Sequence, residues 1–457
     1  MKNPAEQQER KRKEIAKWER QLATKPYHGY MAVLVVIVAL IHLLDEYASS
    51  ASGAIQSSII NDLFVGQMGV DYTTGLSMMS LITLITLFAT IFSSVFKSLA
   101  DRYGRKPFLV FSAFGMGFGM LLCAVAPNAP LYFAGRAVVG FFTATDFQVL
   151  YIMEVSPDDK RGIFYSVTKS IGTVGIVLIA VVRGAFLSVD AGNWRMIYMI
   201  PAVAGLVLGL ITLLTSRETD VFMKRRIEML RHELDASTDE QKKVEKEDKG
   251  GMMVALRTIL RHSQLRNQLI AACLFMCAMM PFTGYYESIM TMGGMTTDSV
   301  TQALFFYPIA WAVLLFISGF VSDRMGRKVA VMIFGILAIL CQIGFVLGAS
   351  GGMPPVLVGL FLGGAIGCYW TSSNTISLMT NEIAPTHLRA SISSVTAIVV
   401  LIVTLFATAF YAWLVTVISL QNLCLFGAII ALVLSMLFLA FSTKETAGIE
   451  LDSQIRR

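Results

Sequence analysis

The chain has 457 residues, of which 55% are hydrophobic and 15% charged, with a formal net charge of +6, whereas a soluble protein carries roughly 25% charged residues. Composition therefore excludes the set of soluble domains that length alone would allow, and the mean hydropathy of +0.65 agrees. The basic residues lie in short loops and one central segment rather than on a basic face, which points to membrane-flanking charge and away from nucleic acid.

Residues 1–29 form a charged tail (KRKEIAKWERQL) without the apolar core and small-residue cleavage site of a signal peptide. Trp18 is expected at the lipid interface, with most of the tail solvated. A bilayer core needs about 20 apolar residues as helix. Runs of that size fall near 30–57, 74–96, 107–126, 131–153, 163–187, 195–215, 267–289, 300–321, 329–348, 354–378, 390–415 and 420–441. The expectation is an all-α membrane protein with twelve transmembrane helices in two six-helix pseudo-symmetric halves, 30–215 and 265–441. A polar linker, 216–264, joins them, and 442–457 form a C-terminal tail. In the linker, Val221, Phe222, Ile227, Leu230 and Leu234 predict amphipathic helices lying on the inner face. The six cysteines all fall inside apolar runs, only Cys273 and Cys277 being close, so neither a disulfide framework nor a metal site is expected.

Orientation follows from the short loops. Arg102, Arg105 and Lys106 follow span two, Lys160 and Arg161 span four, Arg324, Arg327 and Lys328 span eight, and Arg389 span ten. The turns after spans one, three, seven, nine and eleven carry no Lys or Arg. The positive-inside rule then places both termini and the linker in the cytoplasm, in the cell's inner or plasma membrane.

The loops after spans two and eight repeat one another, KSLADRYGRK from Lys97 and GFVSDRMGRK from Gly319. Each sets an acid, basic residues and a glycine at a helix end: Asp101, Arg102, Gly104 and Arg105 in the first, Asp323, Arg324, Gly326 and Arg327 in the second. Acid and arginine can pair across the turn and the glycine permits the bend, which makes a latch that one conformation holds and another breaks. The pattern resembles the signature loop of the major facilitator superfamily, Gly-x-Leu-Ala-Asp-Arg-x-Gly-Arg-Arg/Lys. Lys97 departs from its leading glycine, which predicts looser helix packing there. Span four carries Arg136 and Gly140 at the family's R-x-x-x-G spacing, and the loops EVSPDDKRG and NEIAPTHLRA resemble the family's loops after spans four and ten. The resemblance implies Glu154, Arg161, Glu382 and Arg389 as further latch residues, a cavity between the halves and transport by rocking.

Ionisable groups within the spans are candidates for function because lipid penalises them unless they are paired or face a cavity. Asp45 and Glu46 lie mid-span in the first helix, with His42 and Ser49 on the Asp45 stripe. Arg136 stands in the outer part of span four, about 15 Å of helix from Asp146, and Lys169 of span five is near Asp146 in depth. Asp45 or Glu46 with Arg136, and Asp146 with Lys169, can couple protons, because separating such a pair lets the carboxylate take a proton. The alternative is fixed ion pairs that lock helix register. Resemblance to sugar- and phosphate-type members favours Asp45 over Glu46 and supports Asp146. The expected substrate contacts are His42, Gln148, Arg183, Tyr285, Tyr286, Glu287, Tyr307, Trp370 and Asn374. The methionines of span seven, Met279 and Met280 among them, read as packing.

The cationic first half (Arg136, Lys169, Arg183) leads to the expectation of a proton-coupled symporter for a small anion. A symporter of a neutral sugar-like solute stands as the alternative, then a drug/proton antiporter, against which the absence of Gly-Pro in span five counts. A receptor without flux stays open. No nucleotide loop, His-Glu-x-x-His or Gly-x-Ser-x-Gly occurs, so neither an enzyme nor direct ATP use is expected. The expected energy source is the proton gradient with no cofactor, and the partners are a small solute, protons and the bilayer, with the chain acting as a monomer.

Overall fold

A computed structural model describes residues 4–24, 30–144, 147–155, 161–187, 191–235, 252–385 and 388–446. These are almost entirely helical, and no strand occurs among them. Ten helices among the described residues are long and apolar enough to cross a membrane. Two further spans complete the twelve-helix architecture. Span four is described over Ala129–Thr143 and Phe147–Val155, and span five, Arg161–Phe186, has a shorter apolar part, Ile171–Phe186.

In the first half, span one is Tyr30–Ala54, span two Tyr72–Tyr103, span three Arg105–Val125 and span six Met196–Thr215. In the second, span seven runs Ser263–Thr283 and resumes as Tyr286–Met292. Spans eight to eleven are Thr297–Met325, Arg327–Ser350, Pro355–Ile383 and Arg389–Leu414, and the last span ends in Ile429–Ser442. The repeat reaches the helix caps: Asp71 accepts from the Thr74 N–H at the start of span two, and Thr296 from the Ser299 N–H at the start of span eight. Both satisfy first-turn donors that a helix leaves open. Large apolar side chains point outward, among them Phe316, Phe406 and Phe441 at 73%, 74% and 86% exposure. A surface this apolar suits acyl chains, and the chain is a multi-pass integral membrane protein.

Glycines set the helix spacing where backbones meet. A Cβ at Gly363 of span ten would stand 2.0 Å from the Tyr307 carbonyl oxygen of span eight, and one at Gly359 would stand 2.3 Å from that of Ala303. The two are spaced as G-x-x-x-G, a pattern that lets membrane helices touch. Gly319 is different: a Cβ there meets nothing within 4 Å. The leading glycine of the loop motif thus makes no close contact, and the looser packing expected from Lys97 has no counterpart at Gly319.

The described parts of the tail and linker are helical. Pro4–Ala23 is a helix that packs on the linker helix Asp220–Asp235, with Arg226 to Glu14 at 3.0 Å and Arg231 to Glu19 at 2.6 Å. Trp18 meets the edge of Phe222 at 5.7 Å between ring centroids. Phe222, Ile227 and Leu230 are buried as the amphipathic pattern requires, while Val221 is exposed. A second linker helix, 252–261, buries Ala255 and Ile259 against Leu265, Ile383 and Ile392 of the second half.

Candidate functional site

A cavity of about 400 Å³ lies between the halves. Helix periodicity brings Ser49, Ser52 and Gly53 to it from span one, and Met79, Thr83 and Thr86 from span two, while Gln56 joins from the short helix Gln56–Ile59 that follows span one. Span seven breaks between Thr283 and Tyr286, just past Pro281, and the break presents Thr283, Tyr285 and Tyr286. Tyr307, Trp311 and Trp370 complete the wall from spans eight and ten, with Met279 and Met280 also lining it. Of the expected substrate contacts, Tyr285, Tyr286, Tyr307 and Trp370 therefore line the cavity, whereas Asn374 is exposed and lies outside the lining. Trp311 was not singled out in the sequence, because an isolated tryptophan in an apolar run gives no sign of which way it faces.

Among the described residues, Glu46 and Arg136 are the only acid and the only base on this wall. Arg136 is buried and donates from Nη1 to the Ala48 carbonyl at 3.0 Å. No ion pair joins it to Asp45 among the described residues, so the depth match read from the sequence is not a contact in this conformation. The Tyr132 and Tyr198 hydroxyls, 2.8 Å apart, stand near it. Asp45 instead belongs to a buried cluster one helical turn from the cavity stripe. Gln148 Nε2 donates to Asp45 Oδ2 at 2.9 Å and lies 3.3 Å from His42 Nδ1. His42 is completely buried, with its Nδ1 3.6 Å from Asp45 and its Nε2 3.6 Å from Glu46. His42 and Gln148 thus meet the carboxylates rather than the cavity. Asp146 and the Lys169 side chain lie outside the described residues.

At the end of the bundle away from the repeated loops, the halves are bonded together. Arg183 of span five and Glu287 of span seven form an ion pair at 3.3 Å, with side chains 2% and 0% exposed. Glu287 also accepts from the Ser57 N–H at 2.8 Å and the Ser57 hydroxyl at 2.6 Å. Arg183 donates to Thr301 at 3.1 Å. Gln56 bridges to Gly284 and Ser288, Ser77 to Ala412, and the Ser80 and Tyr285 hydroxyls lie 2.6 Å apart. Arg183 and Glu287, both expected at the substrate, are here a cross-half bolt, since each satisfies the other's charge away from water.

The two repeated loops sit at the other end, and each is bonded within its own half. Gly104 (φ 111°) and Gly326 (φ 95°) take a conformation open to glycine, which lets spans three and nine begin at once. Arg105 pairs with Glu154 at 2.9 Å, as Arg327 does with Glu382 at 3.1 Å. Arg327 pairs with Asp323 as well, while Arg324 is exposed and joins none of these bonds. The side chains of Asp101, Arg102, Arg161 and Arg389 lie outside the described residues.

Two carboxylates not singled out in the sequence cap the new helices. Glu218 accepts from the Arg105 N–H at 2.7 Å and the Lys106 N–H at 3.2 Å; Glu445 accepts from the Arg327 N–H at 2.8 Å and the Lys328 N–H at 3.0 Å. Anions suit this position because the first N–H groups of a helix are open and its dipole is positive there. Thr219 and Thr446 then bond Glu154 and Glu382 at 2.7 and 2.6 Å. A second repeat, Arg217-Glu218-Thr219 after span six and Lys444-Glu445-Thr446 after span twelve, was the available signal. Burial pushes the Glu218 carboxyl above its ordinary range, opposed by the N–H groups it accepts from. Replacing Glu445 with Gln is expected to weaken this loop by about 1.5–3 kcal/mol, the worth of a hydrogen bond to a charged group. Hydrogen exchange at the Arg327 and Lys328 amides reads that change as a rate increase of roughly tenfold or more.

Comparison with known proteins agrees with this architecture. A D-xylose–proton symporter of known structure superposes with a TM-score of 0.69 at 16% identity, covering 92% of this chain and all of that one. The glucose transporter GlcP of Staphylococcus epidermidis is 24% identical over 78% of this chain and 82% of its own. The arabinose–proton symporter of Escherichia coli K12 is 25% identical over 64% of this chain and 66% of its own. The family model of the Major Facilitator Superfamily matches residues 30–408. With two six-helix halves around a central cavity and this match across nearly the whole chain, the protein belongs to the Major Facilitator Superfamily of membrane transporters.

Proposed function

We propose that this transporter is a proton-coupled symporter of a small neutral polar solute, sugar-like in size and hydroxyl content, using the proton gradient and no bound cofactor. The observation that carries the reading is the charge of the cavity wall. Among the described residues, its one acid, Glu46, and one base, Arg136, balance, and hydroxyl and aromatic groups make up much of the rest. Such a wall offers hydrogen bonds and ring faces to a polyol without a net field for an anion. The expectation of an anionic substrate leaned on Arg136, Lys169 and Arg183; of these, Arg183 has its charge taken up by Glu287. The relatives named for glucose, arabinose and xylose are consistent with this choice.

On this reading the basic loops and both tails face the cytoplasm, and the Arg183–Glu287 bolt closes the outer side. The carboxylates of span one, Asp45 buried and Glu46 on the cavity wall, carry the coupled proton, since an ionised group this deep is costly unless compensated. The repeated loops act as latches that hold each half rigid while the halves rock.

The test is uptake into proteoliposomes under an imposed pH gradient, with pentoses, hexoses, carboxylates, phosphate and amino acids offered in parallel. A neutral sugar or polyol is expected to accumulate and to stop accumulating when a protonophore is added. Accumulation of anions alone, or uptake indifferent to the gradient, overturns the proposal. Asp45→Asn is expected to abolish accumulation against a concentration gradient, measured in the same vesicles.

A further inference from the structure

Resting on the symport reading above, we infer that His42 is the relay that passes the coupled proton between Asp45 and Glu46. The three residues occupy adjacent turns of span one, and the imidazole stands between the two carboxylates, its two nitrogens facing different ones. Glu46 is 28% exposed at the cavity wall, whereas Asp45 is 9% exposed and lies behind it. An acid on the wall and an acid in the interior, joined by an imidazole, make a path from cavity to interior along one helix face.

The surroundings hold the ring in place. Span five packs against it at Gly172, where an added Cβ would stand 2.5 Å from His42 Cδ2 and 3.1 Å from Glu46 Cγ. Gln148, from span four, reaches both Asp45 and the Nδ1 nitrogen. A Gln148 N–H pointing at Nδ1 makes that nitrogen an acceptor and leaves the ring proton on Nε2, toward Glu46. Other charged or titratable groups of the neighbouring elements include Lys169, one turn before Gly172, Arg136 bonded to the Ala48 carbonyl, and Tyr307 across the cavity from span eight.

The step balances without any further reactant. Protonated Asp45 gives its proton to Nδ1 as Nε2 gives its own to the Glu46 carboxylate. Asp45 becomes a carboxylate, Glu46 a carboxylic acid, and the neutral ring changes tautomer; the reverse step returns the proton. Both separations are 3.6 Å in this conformation, so each carboxylate must first close on the ring to about 3.2 Å, the reach that general acid–base transfer by histidine requires.

The test compares wild type with His42→Gln and Glu46→Gln in proteoliposomes, alongside solute counterflow, which needs no net proton movement. For His42→Gln, proton-driven accumulation is expected to fall on the order of 100-fold and its pH profile to flatten, with counterflow falling far less. Unchanged accumulation and pH profile overturn the relay while leaving symport intact. If wild type itself ignores the pH gradient, the symport reading fails first. A second measurement then decides the relay without any solute: the ring ¹⁵N signals of His42, identified by their loss in His42→Gln. They are expected to shift in both Glu46→Gln and Asp45→Asn, and signals indifferent to either substitution overturn the proposal.

Discussion

Replacing Arg183 with Ala is expected to part the two halves at the end where they now join. Glu287 is completely buried and, without the guanidinium, keeps among the described residues the Ser57 N–H and hydroxyl. Breaking a buried pair by removing one partner costs about 3–5 kcal/mol, because the remaining charge is left uncompensated. That free energy belongs to the closed arrangement alone, so its population relative to the open one drops by on the order of 10²–10³-fold. Spin labels at Gln67 and Asp298, exposed on opposite halves at this end, would report the change as a longer distance component. Glu287→Gln should act in the same direction, since Arg183 then loses its counter-charge. Replacing both with apolar residues of similar volume should recover much of the closed population, because a buried pair gains little over a packed apolar one. An unchanged distance distribution in both single variants would show that the bolt does not hold the halves.

Adding a single methyl at Gly363 is expected to do comparable damage by a different route. The new Cβ would overlap the Tyr307 carbonyl at 2.0 Å and the Ala310 Cβ at 2.9 Å. The first of these neighbours is backbone and cannot rotate away, so spans eight and ten must separate by about an ångström. Ordinary overpacking costs about 1–3 kcal/mol, and a rigid neighbour puts Gly363→Ala at the upper end of that range or beyond. Tyr307 lines the cavity, so the shift should also weaken solute binding. Gly319→Ala is the control on the same helix pair, since nothing stands within 4 Å of its added methyl and it should stay within about 0.5 kcal/mol. Thermal unfolding of the purified protein measures both. Equal midpoints for the two variants would contradict the close-contact account.

The sequence by itself determined the elements and their repetition. Twelve apolar runs are legible because a bilayer demands about 20 apolar residues per crossing, a local property that needs no partner. The Asp101–Arg105 and Asp323–Arg327 loops were legible as a repeat for the same reason, with Gly104 and Gly326 marking the turn. Tertiary structure alone decided which charges meet. Arg183 and Glu287 are more than a hundred positions apart, and only the rotation of spans five and seven about their axes turns one toward the other and away from the cavity. Asp45 and Arg136 match in depth, yet Gln148 takes up the first and the Ala48 carbonyl the second. Depth along a helix follows from residue count at about 1.5 Å each, but direction around it depends on how neighbouring ridges and grooves pack. The linker shows the same limit, its apolar face being predictable while the tail helix that covers Phe222 was not.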